Sequence, residues 1–240
     1  MNIELSLILP AYNAAQVLQA ELPGIIRFLK SLGVDYEIIV VDDGSKDQPL
    51  TRELCLANGC IFAGLSTNTG KGAALRKGFS LASGAIQVFT DCDLPFAYAN
   101  LLEVYQTLGK GKADLVIGDC THPSSKYYLE INPLRKWGSN LIAGIGSRLL
   151  QGHISDTQCG LKGFTRQSAA RLFPVTQSNR FGIDFELLFL ATKQRRSIHR
   201  IPVELRVSYP STMRLLKDGP FTVWEIVRVI VIHGDRMMGG

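Results

Sequence analysis

Asp91 and Asp93, in Thr90-Asp-Cys-Asp93, follow directly on an apolar run, Ile86-Gln-Val-Phe89. Two carboxylates one residue apart at a strand end give a hard cation its oxygen ligands. A diphosphate can complete the shell of such an ion, which then neutralises charge on a departing nucleotide. An isolated Asp-x-Asp is also an ordinary loop feature, so its surroundings decide its meaning.

Three polar turns precede the pair. Pro10-Ala11-Tyr12-Asn13 and Asp42-Asp43-Gly44-Ser45 each close a strand-like run. A carboxylate there accepts from a base N–H or a ribose hydroxyl, Gly44 permits a tight turn, and Ser45 can cap the following helix. The third turn, Asn68-Thr-Gly70-Lys71-Gly72, opens a helix with glycines and a lysine, which suits a phosphate at the positive helix end. It is not a Walker A loop, because Gly72 stands where the magnesium-binding hydroxyl belongs. Gly144-Ile-Gly146 lacks the third glycine of a dinucleotide fingerprint.

Positioning these turns requires alternating strands and helices. Apolar, β-branched runs predict strands over 3–9, 36–41, 61–65, 86–90 and 114–118. Amphipathic stretches predict helices over 14–32, 48–58, 71–83 and 97–108. This is the pattern of an α/β domain with a mostly parallel, mixed sheet and helices on both faces. In such sheets ligands collect beyond the carboxyl ends of the strands, where the polar turns fall. Further along, helices are expected over 133–150 and 182–195 and strands near 161–165 and 199–207, the strand at 161–165 pairing antiparallel at the sheet edge.

The chain has 240 residues, 46% hydrophobic and 20% charged, with a net charge of +5. One domain over 1–215 is expected, followed by a C-terminal amphipathic helix over 216–240 with Trp224, Val227, Ile230 and Val231 on one face. That helix is a candidate for the membrane interface, with packing on the domain's own core as the other reading. The positive charge favours polyanionic partners. Nucleic acid is excluded among them, since basic residues are not interleaved with aromatics. Five cysteines without a CxxC pair suggest neither a disulfide framework nor zinc, and with no signal-like leader the expected location is cytoplasmic.

Taken in order, the turns at 10–13, 42–45 and 68–72 and the Asp91/Asp93 pair resemble family 2 glycosyltransferases of the GT-A fold. Asp156-Thr-Gln-Cys-Gly160, Lys162-Gly-Phe164 and Phe181-Gly-Ile-Asp184-Phe-Glu186 resemble, more narrowly, the polyprenyl-phosphate sugar transferases, including dolichyl-phosphate glucosyl- and mannosyltransferases.

The resemblance implies an inverting transferase that moves glucose or mannose from UDP-glucose or GDP-mannose to a polyprenyl phosphate at the cytoplasmic membrane face, with Mg2+ or Mn2+ as cofactor. It implies a nucleotide-sugar site of Pro10, Ala11, Tyr12, Asn13, Asp42, Asp43, Lys71, Asp91 and Gln158. Asp91 and Asp93 would hold the metal, Asp184 and Glu186 would line the reaction centre, and Arg135 and Arg214, with Lys126 and Lys136 beside them, would meet the acceptor phosphate. The chain reads Leu94-Pro95 where several mannosyltransferases of the family carry Leu-Gln, so an amide that can help ligate the metal is missing, and Gly118-Asp119-Cys120 where the family often carries Gly-Ser-Arg, which removes one expected acceptor arginine. A lipid phosphate oxygen is already anionic near neutral pH and needs little help from a base. A saccharide or other non-lipid acceptor would need one, with Asp156 or Asp184 the candidate, and a non-catalytic nucleotide-sugar-binding subunit is the remaining alternative.

Overall fold

The computed structural model describes residues 3–127, 154, 156–206 and 215–234. The expected helix over 133–150, Gly144, Gly146, Arg135, Lys136 and Arg214 lie outside the described residues.

Strands β1 (Leu5–Ala11), β2 (Tyr36–Asp42), β3 (Ile61–Gly64), β4 (Ile86–Phe89) and β5 (Leu115–Asp119) alternate with helices α1 (Ala15–Ser31), α2 (Gln48–Ala57), α3 (Lys71–Leu81) and α4 (Tyr98–Gly109). A short strand β6 (Lys126–Tyr127) follows, then β7 (Lys162–Thr165), α5 (Arg166–Leu172), α6 (Ile183–Lys193), β8 (Ile198–Pro202), β9 (Glu204–Leu205) and α7 (Leu215–Gly234). The main sheet has the order β3-β2-β1-β4-β7-β5-β8, and β6 pairs with β9 beside it. β1, β2, β3 and β4 are mutually parallel, as are β5 and β8.

β7 runs antiparallel to both β4 and β5, which corrects its expected place at the edge. Its sequence, Lys-Gly-Phe-Thr, looks like an edge strand because it holds a lysine and a glycine, yet both are buried. A Cβ at Gly163 would overlap Val104, so glycine lets α4 lie directly on this strand.

The helices form for ordinary reasons. Leu18, Leu22, Ile25 and Leu29 repeat along one face of α1 and are fully buried against the sheet, each contributing roughly 2 kcal/mol. α3 lies close on the other face because Gly78 leaves space for Ile8. Phe79, Phe89, Phe164 and Phe173 pack there, with Phe79 and Phe173 stacked at 3.6 Å between centroids. α5, too short to show a clear period, is capped by the Thr165 hydroxyl, which accepts from the Ser168 N–H. α7 buries Ile226 and Val229 against Phe185 and Leu188 of α6. Its opposite face leaves Trp224, Val227 and Val231 more than half exposed. No described helix is long and apolar enough to cross a membrane.

Candidate active site

The ends of β1 and β2 are locked together in register, Ala11 opposite Asp42, and the Asp43 N–H donates to the Ala11 carbonyl. Asn13 adopts φ 49°, a conformation asparagine tolerates. Its N–H donates to Ser45 Oγ, and its side-chain carbonyl accepts from the Lys46 N–H. Tyr12 remains 40% exposed above this junction. Asp42 accepts from the Ser45 N–H and from Gln48, and its second carboxylate oxygen is buried with no donor.

Asp43 faces the third turn and accepts from Asn68 Nδ2 and from the N–H groups of Thr69 and Gly70. Burial raises its pKa, assisted by neighbouring Asp42, against the lowering effect of the two N–H donors. Asp43 therefore holds the 68–70 turn in shape. The turn itself corrects an expectation. The N–H groups of Gly72 and Ala73 donate to the carbonyl of Asn179, and Cβ atoms at Gly70 or Gly72 would overlap the 178–179 backbone. The helix end expected to cradle phosphate is thus filled by the chain, and Arg76 fastens the same loop by donating to Ser178 and Asn179.

Lys71 points the other way. Its ammonium lies 3.0 Å from Asp91 and 3.2 Å from Asp184. Burial alone would lower its pKa, but Asp184 and Asp91 outweigh burial and hold it above the ordinary value. Asp184, 1% exposed at the start of α6, also accepts from Lys162 at 2.6 Å. Lys162 is fully buried, donates additionally to the Cys159 carbonyl, and with Lys71 stands about 5.5 Å from the centre of the Phe89 ring. Lysines this buried persist only when paired.

Asp91 and Asp93 follow β4 in a tight turn closed by the Leu94 N–H on the Asp91 carbonyl, with Leu94 at φ 44°. For a buried leucine that is a strained conformation, of order 1–3 kcal/mol. Asp91 stays 44% exposed. Asp93 is more buried, and burial, with Asp91 beside it, pushes its pKa up to about 6. One oxygen of Asp93 is buried with no donor. Two carboxylates one residue apart, one of them with an orphaned oxygen, are compatible with a divalent cation.

The segment Asp156–Gly160 closes the other side. Both Asp156 oxygens are taken by backbone donors, the N–H groups of Cys120, Gln158 and Cys159. Its geometry corrects the expectation of a base there: Asp156 shapes the loop. Asp184, enclosed by two ammonium groups, likewise serves to place Lys71. Gln158 carries a buried side-chain nitrogen with no acceptor, a donor suited to a phosphate oxygen. A Cβ at Gly160 would overlap the Asp91 carboxylate. Glu186, expected at the reaction centre, accepts from the N–H groups of Gln177 and Ser178 and pairs with His233 of α7 at 2.7 Å. It is a fully buried scaffold residue. Lys126 lies exposed on β6, 4.0 Å from Glu204.

Lys71, Asp91 and Asp184 are therefore one connected group, joined by Gly160. Sequence reasoning missed Lys162, Gly160 and the 177–179 loop. Lys162-Gly-Phe was visible as a motif, but a buried lysine has no local signature.

A mixed sheet that delivers an Asp-x-Asp pair from the end of a central strand, with polar turns at the same ends of β1 and β2, is that of a GT-A glycosyltransferase. The chain belongs to glycosyl transferase family 2, whose family model matches residues 6–173. It is 33% identical over 221 residues to a dolichyl-phosphate beta-glucosyltransferase of Dictyostelium discoideum, covering 84% of this chain and 66% of the relative. It thus spans about two thirds of that relative's length. The human dolichyl-phosphate beta-glucosyltransferase is 28% identical, covering 92% of this chain and 71% of its own. Among solved structures, glucosyl-3-phosphoglycerate synthase of Mycobacterium tuberculosis, in complex with Mn2+, UDP and phosphoglyceric acid, superposes with a TM-score of 0.73 at 19% identity, covering 96% and 78% of the two chains. That likeness is one of fold.

Proposed function

We propose that this chain transfers glucose from UDP-glucose to the phosphate of a polyprenyl lipid of the dolichyl type, with inversion at the anomeric carbon. The carrying observation is the orphaned, buried oxygen of Asp93 beside exposed Asp91, in a chain whose relatives are named for glucosyl transfer to dolichyl phosphate.

Asp42, through its unsatisfied oxygen, and the 10–13 turn receive the nucleoside. Asp91 and Asp93 would hold a divalent cation, Mn2+ or Mg2+, which when bound neutralises charge on the departing diphosphate. Lys71 sets the position of Asp91 and adds positive charge on the same side. Gln158 offers its unpaired N–H to a donor phosphate oxygen. An anionic oxygen of the acceptor phosphate attacks the anomeric carbon as the bond to the UDP oxygen breaks, so no proton needs to move. That fits a site in which Asp156 and Asp184 are both engaged elsewhere. Arg135 and Arg214 are assigned to the acceptor phosphate, since a guanidinium binds phosphate in a bidentate fork.

α7 is the element assigned to the cytoplasmic face of the membrane. Phe221, Trp224, Val227 and Val231 form an exposed apolar stripe, with Arg228 over Trp224 and Arg180 over Phe221. Aromatic residues next to cations suit a headgroup layer. A donor panel tests the assignment. With dolichyl phosphate present, radiolabel from UDP-glucose should enter the organic phase and label from GDP-mannose should not; preferential labelling from GDP-mannose contradicts it.

A further inference from the structure

We infer that Cys120 and Cys159 form a reversible cross-strand disulfide that governs the Asp91 carboxylate. β5 and β7 pair antiparallel with Leu115 opposite Phe164 and Ile117 opposite Lys162, and the Gly118 N–H donates to the Leu161 carbonyl in the same register. Just beyond that pairing, Asp156 gathers the two strand ends by accepting the N–H groups of both Cys120 and Cys159. The two sulfurs lie within 4.8 Å of each other, and the thiols are hydrogen-bonded. Gly118 keeps this space open, since a Cβ there would stand 2.7 Å from Cys159 Sγ.

Asp156 completes a cluster whose ligand atoms would suit a soft metal ion. Its two oxygens already accept three backbone N–H groups. The two thiols lie within 4.8 Å and are hydrogen-bonded to each other while Asp156 is committed to the backbone, so the arrangement favours a sulfur–sulfur bond over coordination.

The chemistry balances with a small disulfide such as oxidised glutathione as oxidant. Cys120, the more exposed thiol, loses its proton and attacks one sulfur of the oxidant, releasing one glutathione and leaving a mixed disulfide. Cys159 then attacks the Cys120 sulfur and releases the second glutathione. The two thiol protons end on the two released thiols, and the protein pair is oxidised by two electrons.

The consequence reaches the active site through one residue. Closing the sulfurs to about 2.05 Å pulls on Cys159, and the next residue, Gly160, is packed so closely on Asp91 that a Cβ would not fit. Cys159 also carries the carbonyl that anchors Lys162. Oxidation therefore shifts the wall against which Asp91 is set. This effect on the donor site rests on the function proposed above; the disulfide itself does not.

The test uses the full chain, reduced or treated with oxidised glutathione, then alkylated and digested without reduction. The oxidised sample should yield a Cys120–Cys159 linked peptide and two fewer free thiols than the five of the reduced chain. Its affinity for UDP in Mn2+ should fall about tenfold or more and return with dithiothreitol. Cys120→Ser should bind UDP as the reduced wild type does and be indifferent to the oxidant; Cys120→Ala repeats this if the serine variant does not fold. Absence of the linked peptide, or a linked protein with unchanged UDP affinity, overturns the inference. A reduced wild type that binds no UDP would instead refute the donor assignment, with the peptide map still deciding the thiol pair.

Discussion

Asp91 occupies space that exists only because residue 160 is glycine: the Asp91 carboxylate lies where a Gly160 side chain would begin. Asp91, at the end of β4, is thus positioned by a loop nearly seventy residues away in sequence, and Lys71 holds it from the other side at 3.0 Å.

Gly160→Ala should displace Asp91 while leaving the core intact. Mn2+-dependent UDP binding should weaken by about ten- to a hundredfold, the range seen when the support of a metal ligand is removed, with little change in thermal midpoint. Titration calorimetry and a melting curve on the same sample separate the two effects.

Lys162→Met should destabilise the fold by about 3 kcal/mol, toward the low end for a broken buried pair, because Asp184 keeps Lys71 as a partner. Combining it with Asp184→Leu removes the stranded charge and should recover part of the loss. Urea denaturation of the single and double variants measures this.

Asp119 is buried and pairs with Arg200. Burial would raise its pKa, but the hydrogen bonds from Thr121 and Arg200 outweigh burial and hold it below the ordinary carboxylate value. A depressed pKa contributes stability above the unfolded value of about 3.9 that is lost as pH falls through the folded value. The stability difference between wild type and Asp119→Asn should therefore be largest at neutral pH and shrink in acid, read by urea denaturation at both ends.

The apolar stripe of α7 gives a separable readout. Trp224→Ser with Val231→Ser should reduce sedimentation with anionic lipid vesicles and leave UDP binding unchanged, because neither side chain belongs to the buried face that Ile226 and Val229 pack into the core.

Much of the frame is written locally. β1, β2, β4 and β5 each appear as a short apolar run, and their observed bounds differ from expectation by two residues at most. The Asp91/Asp93 pair and the 10–13 and 42–45 turns stand at strand ends, as their order implied. What local pattern could not show is who fills what. Asn179 takes the N–H groups at the start of α3 from more than a hundred residues away, so a phosphate-like helix end became an internal contact. Glu186 and Asp184 sit two apart on α6, yet one braces a loop and α7 while the other joins two lysines. The central place of β7 was hidden because Lys162 and Gly163 look like an exposed strand until their partners, Asp184 and Val104, are in view.

The most direct measurement is glucolipid formation from labelled UDP-glucose and dolichyl phosphate in Mn2+, comparing wild type with Asp93→Asn after both are shown to be folded. Labelled, organic-soluble glucosyl phospholipid should form with the wild type and be absent with the variant. Equal product from Asp93→Asn, or UDP released by the wild type with no glucolipid formed, would contradict metal-dependent transfer to a lipid phosphate.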